Sequence, residues 1–326
     1  MPLSQSKKSG SGSAPIPFAA LSGLSNDPSD PDLLYAVEDS KYIKSRFFTI
    51  ESDKYPAVLT KATRIVDSKG VFAKVSPQDE FSADDLAAMI NDDGTVNIDP
   101  EGIAADGSGI FYIAHEGRGT FGDEDRPVES LNFIFKVDNE GVIHEVITLP
   151  EELNIIQERY GLEGIAYHPE KILVVCLQRA WGDYGGPLIG MYNLQTKEWK
   201  FGEYPLSAPA SQNGGWVALS DITYVEDTTF YIIERDNQGL LDAAIKRIYS
   251  IDLAAVLGSA GDDYPSIAKT LVKDLVADNV VGAIGGLNFE KLEGLAYNGE
   301  GWWVVNDNDG LDNNSGEIQL MNLGNL

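Results

Sequence analysis

Short runs of aromatic and β-branched residues recur along the chain, each closed by polar or turn-forming residues. Leu34-Tyr35-Ala36-Val37, Phe111-Tyr112-Ile113-Ala114, Leu173-Val174-Val175-Cys176, Phe230-Tyr231-Ile232-Ile233 and Trp302-Trp303-Val304-Val305 are the clearest. Their composition predicts strands, because such side chains pack well on a pleated surface. A shorter strand precedes each, opening on Ser22-Gly23-Leu24, Glu101-Gly102-Ile103, Glu163-Gly164-Ile165, Ser220-Asp221-Ile222 or Glu293-Gly294-Leu295. Third strands follow at Arg46 to Ile50, Asn132 to Val137, Ile189 to Tyr192 and Arg247 to Ile251, and fourth strands at Ala57 to Ile65, His144 to Leu149, Glu198 to Tyr204 and Lys269 to Leu275.

Four strands per repeat predict the blade of a β-propeller, and five heads predict five blades in one all-β domain. A sixth, degenerate blade in Asp67 to Asn97 is the alternative. That stretch reads better as an insertion with a helix at Ser82 to Ile90, where a serine cap precedes apolar residues at helical spacing. Pro150 to Arg159 and Leu253 to Leu257 predict further helical turns. The last repeat has three strands, the third ending at Glu317 to Met321, so Ala14 to Ala20 is expected to supply its fourth and close the ring. Residues 1–13 then form a flexible leader and 14–326 the propeller.

At 326 residues, with 33 glycines and 15 prolines, the composition agrees with a single turn-rich domain. Asp plus Glu total 51 against 24 Lys plus Arg, a formal net charge of -27. This makes nucleic acid and anionic membranes poor partners for the general surface. Most of the excess reads as a solvated acidic surface, and cation binding explains only part of it. Cys176, the only cysteine, sits in an apolar run and reads as a small core residue. No stretch is long and apolar enough to predict a membrane span, and Met1 to Ser13 lacks the apolar core of a signal peptide.

The innermost strand of each blade lines the central channel, so Ser22, Glu101, Glu163, Ser220 and Glu293 are expected to form a ring. Two of its carboxylates ~5 Å apart would repel by about 3 kcal/mol at an effective dielectric near 20. Something must neutralise them. Calcium suits hydroxyl and carboxylate oxygens, and a shared proton or an arginine in the channel are the alternatives. The ends of the second strands add Asp39, Glu116, Arg179, Arg235 and Asp307. Arg179 and Arg235 suit phosphate recognition or, equally, ion pairing with the ring.

Several motifs carry no chemistry. Gly117-Arg118-Gly119-Thr120-Phe121-Gly122 matches a dinucleotide fingerprint by letters, but acidic, proline-containing sequence follows it instead of a helix. Asp307-Asn308-Asp309-Gly310 lacks the flanking acidic ligands of an EF-hand loop. No Gly-x-Ser-x-Gly elbow occurs, and the three histidines do not suggest a zinc centre.

Asp99-Pro100-Glu101-Gly102-Ile103-Ala104, Gly161-Leu162-Glu163-Gly164-Ile165-Ala166, Ile233-Glu234-Arg235-Asp236, and Lys291 to Ala296 with Val305 to Gly310 resemble the family called esterase-like activity of phytase, in order from about Phe18 to Leu320. The axial set is similar to that of the calcium-activated apyrases, which implies calcium held by Ser22, Glu101, Glu163, Ser220 and Glu293. Asp221 departs from the glycine found at the other heads. The resemblance implies phosphoester hydrolysis, with Glu116, Arg179, Arg235 and Asp307 as candidate catalytic or substrate-contacting residues. It also implies a secreted or periplasmic address, and a monomer that takes a small-molecule substrate or ligand, phosphorylated or not, is expected. Two other readings stay open: a non-catalytic ligand- or protein-binding propeller with structural calcium, and a calcium-dependent lactonase or esterase.

Overall fold

The computed structural model describes residues 4–5, 16–78, 80–260, 264–278, 280, 291–308 and 318–326. Strand β1 (Ser4–Gln5) comes first. The first blade is β2 (Leu21–Asp27), β3 (Asp30–Glu38), β4 (Arg46–Glu51) and β5 (Val58–Arg64), and the second is β6 (Pro100–Ala105), β7 (Ile110–His115), β8 (Phe133–Asp138) and β9 (Ile143–Thr148). The third comprises β10 (Leu162–His168), β11 (Ile172–Leu177), β12 (Leu188–Asn193) and β13 (Trp199–Glu203). The fourth is β14 (Val217–Glu226), β15 (Thr229–Asp236), β16 (Lys246–Asp252) and β17 (Lys269–Asp274), and the fifth β18 (Lys291–Tyr297), β19 (Trp302–Asp307) and β20 (Leu320–Gly324). Within each blade the strands pair antiparallel in sequence order. The chain is the expected five-bladed propeller.

An apolar cluster fills each gap between neighbouring blades. Phe47, Phe111 and Phe135 pack between the first and second, and Trp181, Leu173 and Tyr112 between the second and third. At the seam between last and first blades, Trp303, Val305 and Leu320 meet Leu34, Phe48 and Ile50. Burying side chains of this size yields about 1.5–3 kcal/mol each, so the seam is closed mainly by hydrophobic contact.

The expected strand closure takes a different form. Residues 16–20 make no strand, and the fifth sheet has three strands among the described residues. The N-terminal segment still reaches that blade: Ile16 joins the seam cluster, and the Ala20 amide donates to Asn308 Oδ1 at 2.8 Å. Among the described residues, side-chain packing and single side-chain-to-backbone bonds, including Asn298 Nδ2 to the Pro31 carbonyl at 2.8 Å, take the place of a ladder. Of the expected leader, only Ser4–Gln5 is described, and it pairs in parallel with β5 at the outer edge of the first blade. The third strand of the last repeat runs Leu320–Gly324, later than its expected end, and Glu317, Asp309 and Gly310 lie outside the described residues.

The sixth blade does not form. Helix α1 (Ala83–Ala88) occupies that insertion, opened by a capping box in which the Ser82 hydroxyl and Asp85 carboxylate each accept the other's backbone N–H. Helices α2 (Glu151–Asn154) and α3 (Ala254–Gly258) are the other two expected turns. Among the described residues no helix is long and apolar enough to cross a membrane.

Candidate metal and catalytic site

The five heads share one distortion. In every innermost strand the ladder register slips at the head, between Leu21 and Leu24, Pro100 and Gly102, Leu162 and Ile165, Leu219 and Ile222, and Leu292 and Gly294. An extra residue bulged out of a strand re-aims its side chain. All five head residues are buried. The glycine that follows lets the innermost strands approach around the axis: a Cβ on Gly102 would lie 2.5 Å from the Glu163 carbonyl oxygen, and one on Gly164 2.6 Å from Asp221 Cα.

The fourth blade carries Asp221 in place of that glycine. Its fully buried carboxylate accepts from the amides of Leu295 at 2.8 Å, Ile222 at 2.9 Å and Leu24 at 3.3 Å. Burial pushes its pKa well up despite these donors. Asp221 therefore binds backbone of the fifth and first blades and does not line the axial cavity described next.

That cavity, of about 280 Å³, opens at the end of the axis where the second strands finish. Ladder register determines which residues reach it. Leu21, Pro100, Leu162, Leu219 and Leu292 pair with Glu38, His115, Leu177, Glu234 and Asn306. The next residues, Asp39, Glu116, Gln178, Arg235 and Asp307, all line the cavity. The third blade thus contributes Gln178 to this tier and not Arg179. The Arg179 guanidinium lies 5.1 Å from the ring centroids of both Tyr160 and Trp216, which are themselves cavity-lining residues.

The predicted ring is divided. Ser22 Oγ donates to Glu101 Oε2 at 2.6 Å, whereas Arg235 donates to Ser220 Oγ at 3.0 Å and to Glu293 Oε1 at 2.6 Å. Ser22 and Ser220 do not line the cavity; Glu101, Glu163 and Glu293 do. Oxygens of Asp39, Asp99 and Glu101 all lie within 4.8 Å of one another. The same cavity holds cations: Lys291 pairs with Asp307 at 3.0 Å and also acts on Asp39, Arg235 pairs with Glu293, and Arg159 lines the wall.

This charge pattern controls protonation. Burial, then the neighbouring Asp99, pushes Asp39 up to about 7. Burial and Asp99 likewise push Glu116 up to about 8, against a hydrogen bond from the Gly161 amide. Glu101 and Glu163 are raised well above the ordinary glutamate range, first by burial and then by Asp39 and Glu116 respectively. For Arg235, burial disfavours the cation, but Glu293 and Glu163 outweigh it and raise its pKa.

The Asp39, Asp99 and Glu101 oxygens fit a hard cation, since they are close and convergent, with the Lys291 ammonium the cation that acts on Asp39. Glu293 Oε2, buried without a hydrogen-bond partner among the described residues, offers another oxygen. Sequence reasoning missed Asp99, Lys291, Gln178, Arg159, Tyr160 and Trp216. For Asp99 and Lys291 a signal existed, as each stands two residues before a head glutamate, the interval that keeps side chains on one side of an extended strand.

Among solved structures, similar ones are a luciferin-regenerating enzyme (14% identity, 89% of this chain and 69% of that chain covered, TM-score 0.43), the GH74 xyloglucanase from Xanthomonas campestris (12%, 93% and 44%, TM-score 0.38) and the phage phi92 endosialidase (10%, 90% and 47%, TM-score 0.36). No curated protein matches in sequence. The model of the family described as phytase-like, esterase-like activity of phytase, matches residues 16–310, and the chain belongs to that family.

Proposed function

We propose that this propeller is a calcium-dependent hydrolase of phosphoesters working at the axial cavity. The observation that carries the reading is that one cavity holds Asp39, Asp99 and Glu101, grouped within 4.8 Å, together with the cations Arg159, Arg235 and Lys291. Family membership supports the hydrolase class. Asp39, Asp99 and Glu101, with Glu163 and Glu293 beside them, would hold the ion. When bound, calcium supplies positive charge that offsets charge developing on a phosphoryl group.

Arg159 and Lys291 orient the anion by charge-assisted hydrogen bonds, and Arg235 adds positive charge from its pair with Glu293. Tyr160 and Trp216, with Arg179 against both rings, give the cavity an aromatic wall. Glu116, which burial and then the neighbouring Asp99 push upward in the metal-free protein, is the group assigned to carry a proton. It delivers that proton to the leaving oxygen as the phosphorus–oxygen bond breaks and water oxygen bonds to phosphorus. The proton released by the water passes to a carboxylate of the cluster.

The test is turnover of phosphomonoesters, nucleotides, phytate and lactones with calcium and with chelator. Phosphoester hydrolysis lost with chelator and restored by calcium is the expected result. Hydrolysis of lactones alone moves the assignment to carboxyl esters. No turnover of any substrate, with calcium still raising the melting temperature, leaves a ligand-binding propeller with a structural ion.

A further inference from the structure

A separate cavity, of about 460 Å³, lies at the opposite end of the axis, where the innermost strands finish, and shares no lining residue with the axial one. We infer that it binds a small organic cation of the quaternary ammonium type through a half-ring of tyrosines and one carboxylate. The site goes beyond the hydrolase reading and does not depend on it.

Repeat position builds the half-ring. Tyr167, Tyr224 and Tyr297 stand four residues after the heads Glu163, Ser220 and Glu293, so three consecutive blades place tyrosine at one level of their innermost strands. All three line the cavity, and all keep exposed surface. Each is braced by a ring that does not line it: Tyr167 stacks on Tyr112 with planes 8° apart, Tyr224 meets His168 at 5.0 Å, and Tyr297 meets Trp302 at 5.1 Å. Leu24, Ile103, Ile165 and Ile222, each 3% exposed or less, supply an apolar wall. Aromatic faces attract a cation, and more strongly where the surroundings are apolar.

Charge selects the ligand. Among the described residues Asp106 is the one charged group in the lining. Its Oδ1 accepts from the Ser108 amide and hydroxyl, each at 2.8 Å, and from the Ile110 amide at 3.3 Å, which fixes the carboxylate and leaves Oδ2 uncommitted. Burial and then Asp106 raise the pKa of the Tyr167 phenol, so the negative field of this carboxylate reaches the tyrosines. An anion would meet that field with no lining cation to offset it.

The hydroxyls narrow the choice further. Thr223 donates to the Leu295 carbonyl at 2.5 Å, Ser25 to the Asn26 carbonyl at 3.2 Å and Tyr297 to the Gly299 carbonyl at 3.1 Å. These groups are committed to backbone, so a sugar or a primary ammonium, each needing several hydrogen bonds, is served less well than an alkylated ammonium, which needs none.

The test is a ligand-observed NMR titration of the full chain with choline, with 3,3-dimethylbutan-1-ol, which has the same shape without the charge, and with phosphocholine, which adds an anion. Choline should bind at least about tenfold tighter than either. Tyr224→Leu and Asp106→Asn should each weaken choline by roughly fivefold. Choline binding by a protein that hydrolyses no phosphoester keeps the inference, and only the phosphoesterase reading then fails. Equal affinity for choline and its neutral isostere in the parent protein, or no binding of choline, overturns it. Loss of choline in Asp99→Asn with retention in Asp106→Asn also overturns it, by placing the cation in the axial cluster.

Discussion

Arg235 Nη2 lies 2.6 Å from Glu293 Oε1, with the two side chains 3% and 5% exposed. Arg235 thus acts inside the ring as a fixed counter-charge, and the same guanidinium holds Ser220 Oγ. Removing one partner of a buried pair leaves the other uncompensated, which costs about 3–5 kcal/mol. Arg235→Ala should lower stability by that amount in denaturant titrations. Glu293→Gln should cost less, because the amide oxygen still accepts from the guanidinium. An Arg235→Ala variant as stable as the parent would refute the counter-charge role.

How much of this site was visible in the residues can be seen at the heads. Ser22, Glu101, Glu163, Ser220 and Glu293 were readable because each opens an apolar strand and four of the five repeats place glycine next. The assignment of Gln178 to the second tier was not, because the third blade pairs Leu162 with Leu177, so its apolar run extends one residue further than the pattern suggests. Tyr160 and Trp216 come from connections between blades, where no periodicity points inward. Tyr160 depends on long-range support: it sits at φ 72, and Trp181 Nε1 donates to its carbonyl at 3.3 Å.

Calcium should raise the melting temperature, because an ion bound to the folded state alone adds about 2.7 kcal/mol at a hundredfold excess over its dissociation constant. Asp99→Asn and Glu101→Gln should each reduce that increment, while Ser220→Ala, whose hydroxyl is engaged by Arg235, should leave it nearly intact. Differential scanning calorimetry on protein stripped with chelator decides between these outcomes. Equal calcium increments in all three variants would place the ion elsewhere.

Without metal, stability should fall as pH rises. Asp39 and Glu116 move from ordinary values of 3.8 and 4.5 to about 7 and about 8, so the folded state binds more protons than the unfolded chain across that interval. Unfolding free energy then decreases with pH wherever the native state holds the extra protons. Melting temperatures of the metal-free protein should decline between about pH 5 and 8, and calcium, which needs ionised carboxylates, should flatten the decline and bind more tightly at the upper end. A metal-free protein that gains stability over this range would contradict the protonated cluster.

Asp221→Ala should cost about 3 kcal/mol or more, since it strips the acceptor from three amides, two of them on other blades, and each orphaned buried donor costs about 1–3 kcal/mol. Gly164→Ala should also destabilise, because the new methyl would press on Asp221 Cα at 2.6 Å. Chemical denaturation of both variants checks the pair. If Asp221→Ala instead leaves stability unchanged and abolishes the calcium increment, Asp221 serves the ion and not the ring.

Because the last sheet meets the first through packing, the ring resembles a split washer whose cut is spanned by a rivet from a third piece. Asp221 belongs to the fourth blade yet grips Leu295 of the fifth and Leu24 of the first. Tension applied at the seam would load this carboxylate together with the side chains packed there. The innermost strands of three blades are thereby tied through one carboxylate, beside the Asn298 side chain of the fifth blade that donates to the Pro31 carbonyl of the first at 2.8 Å.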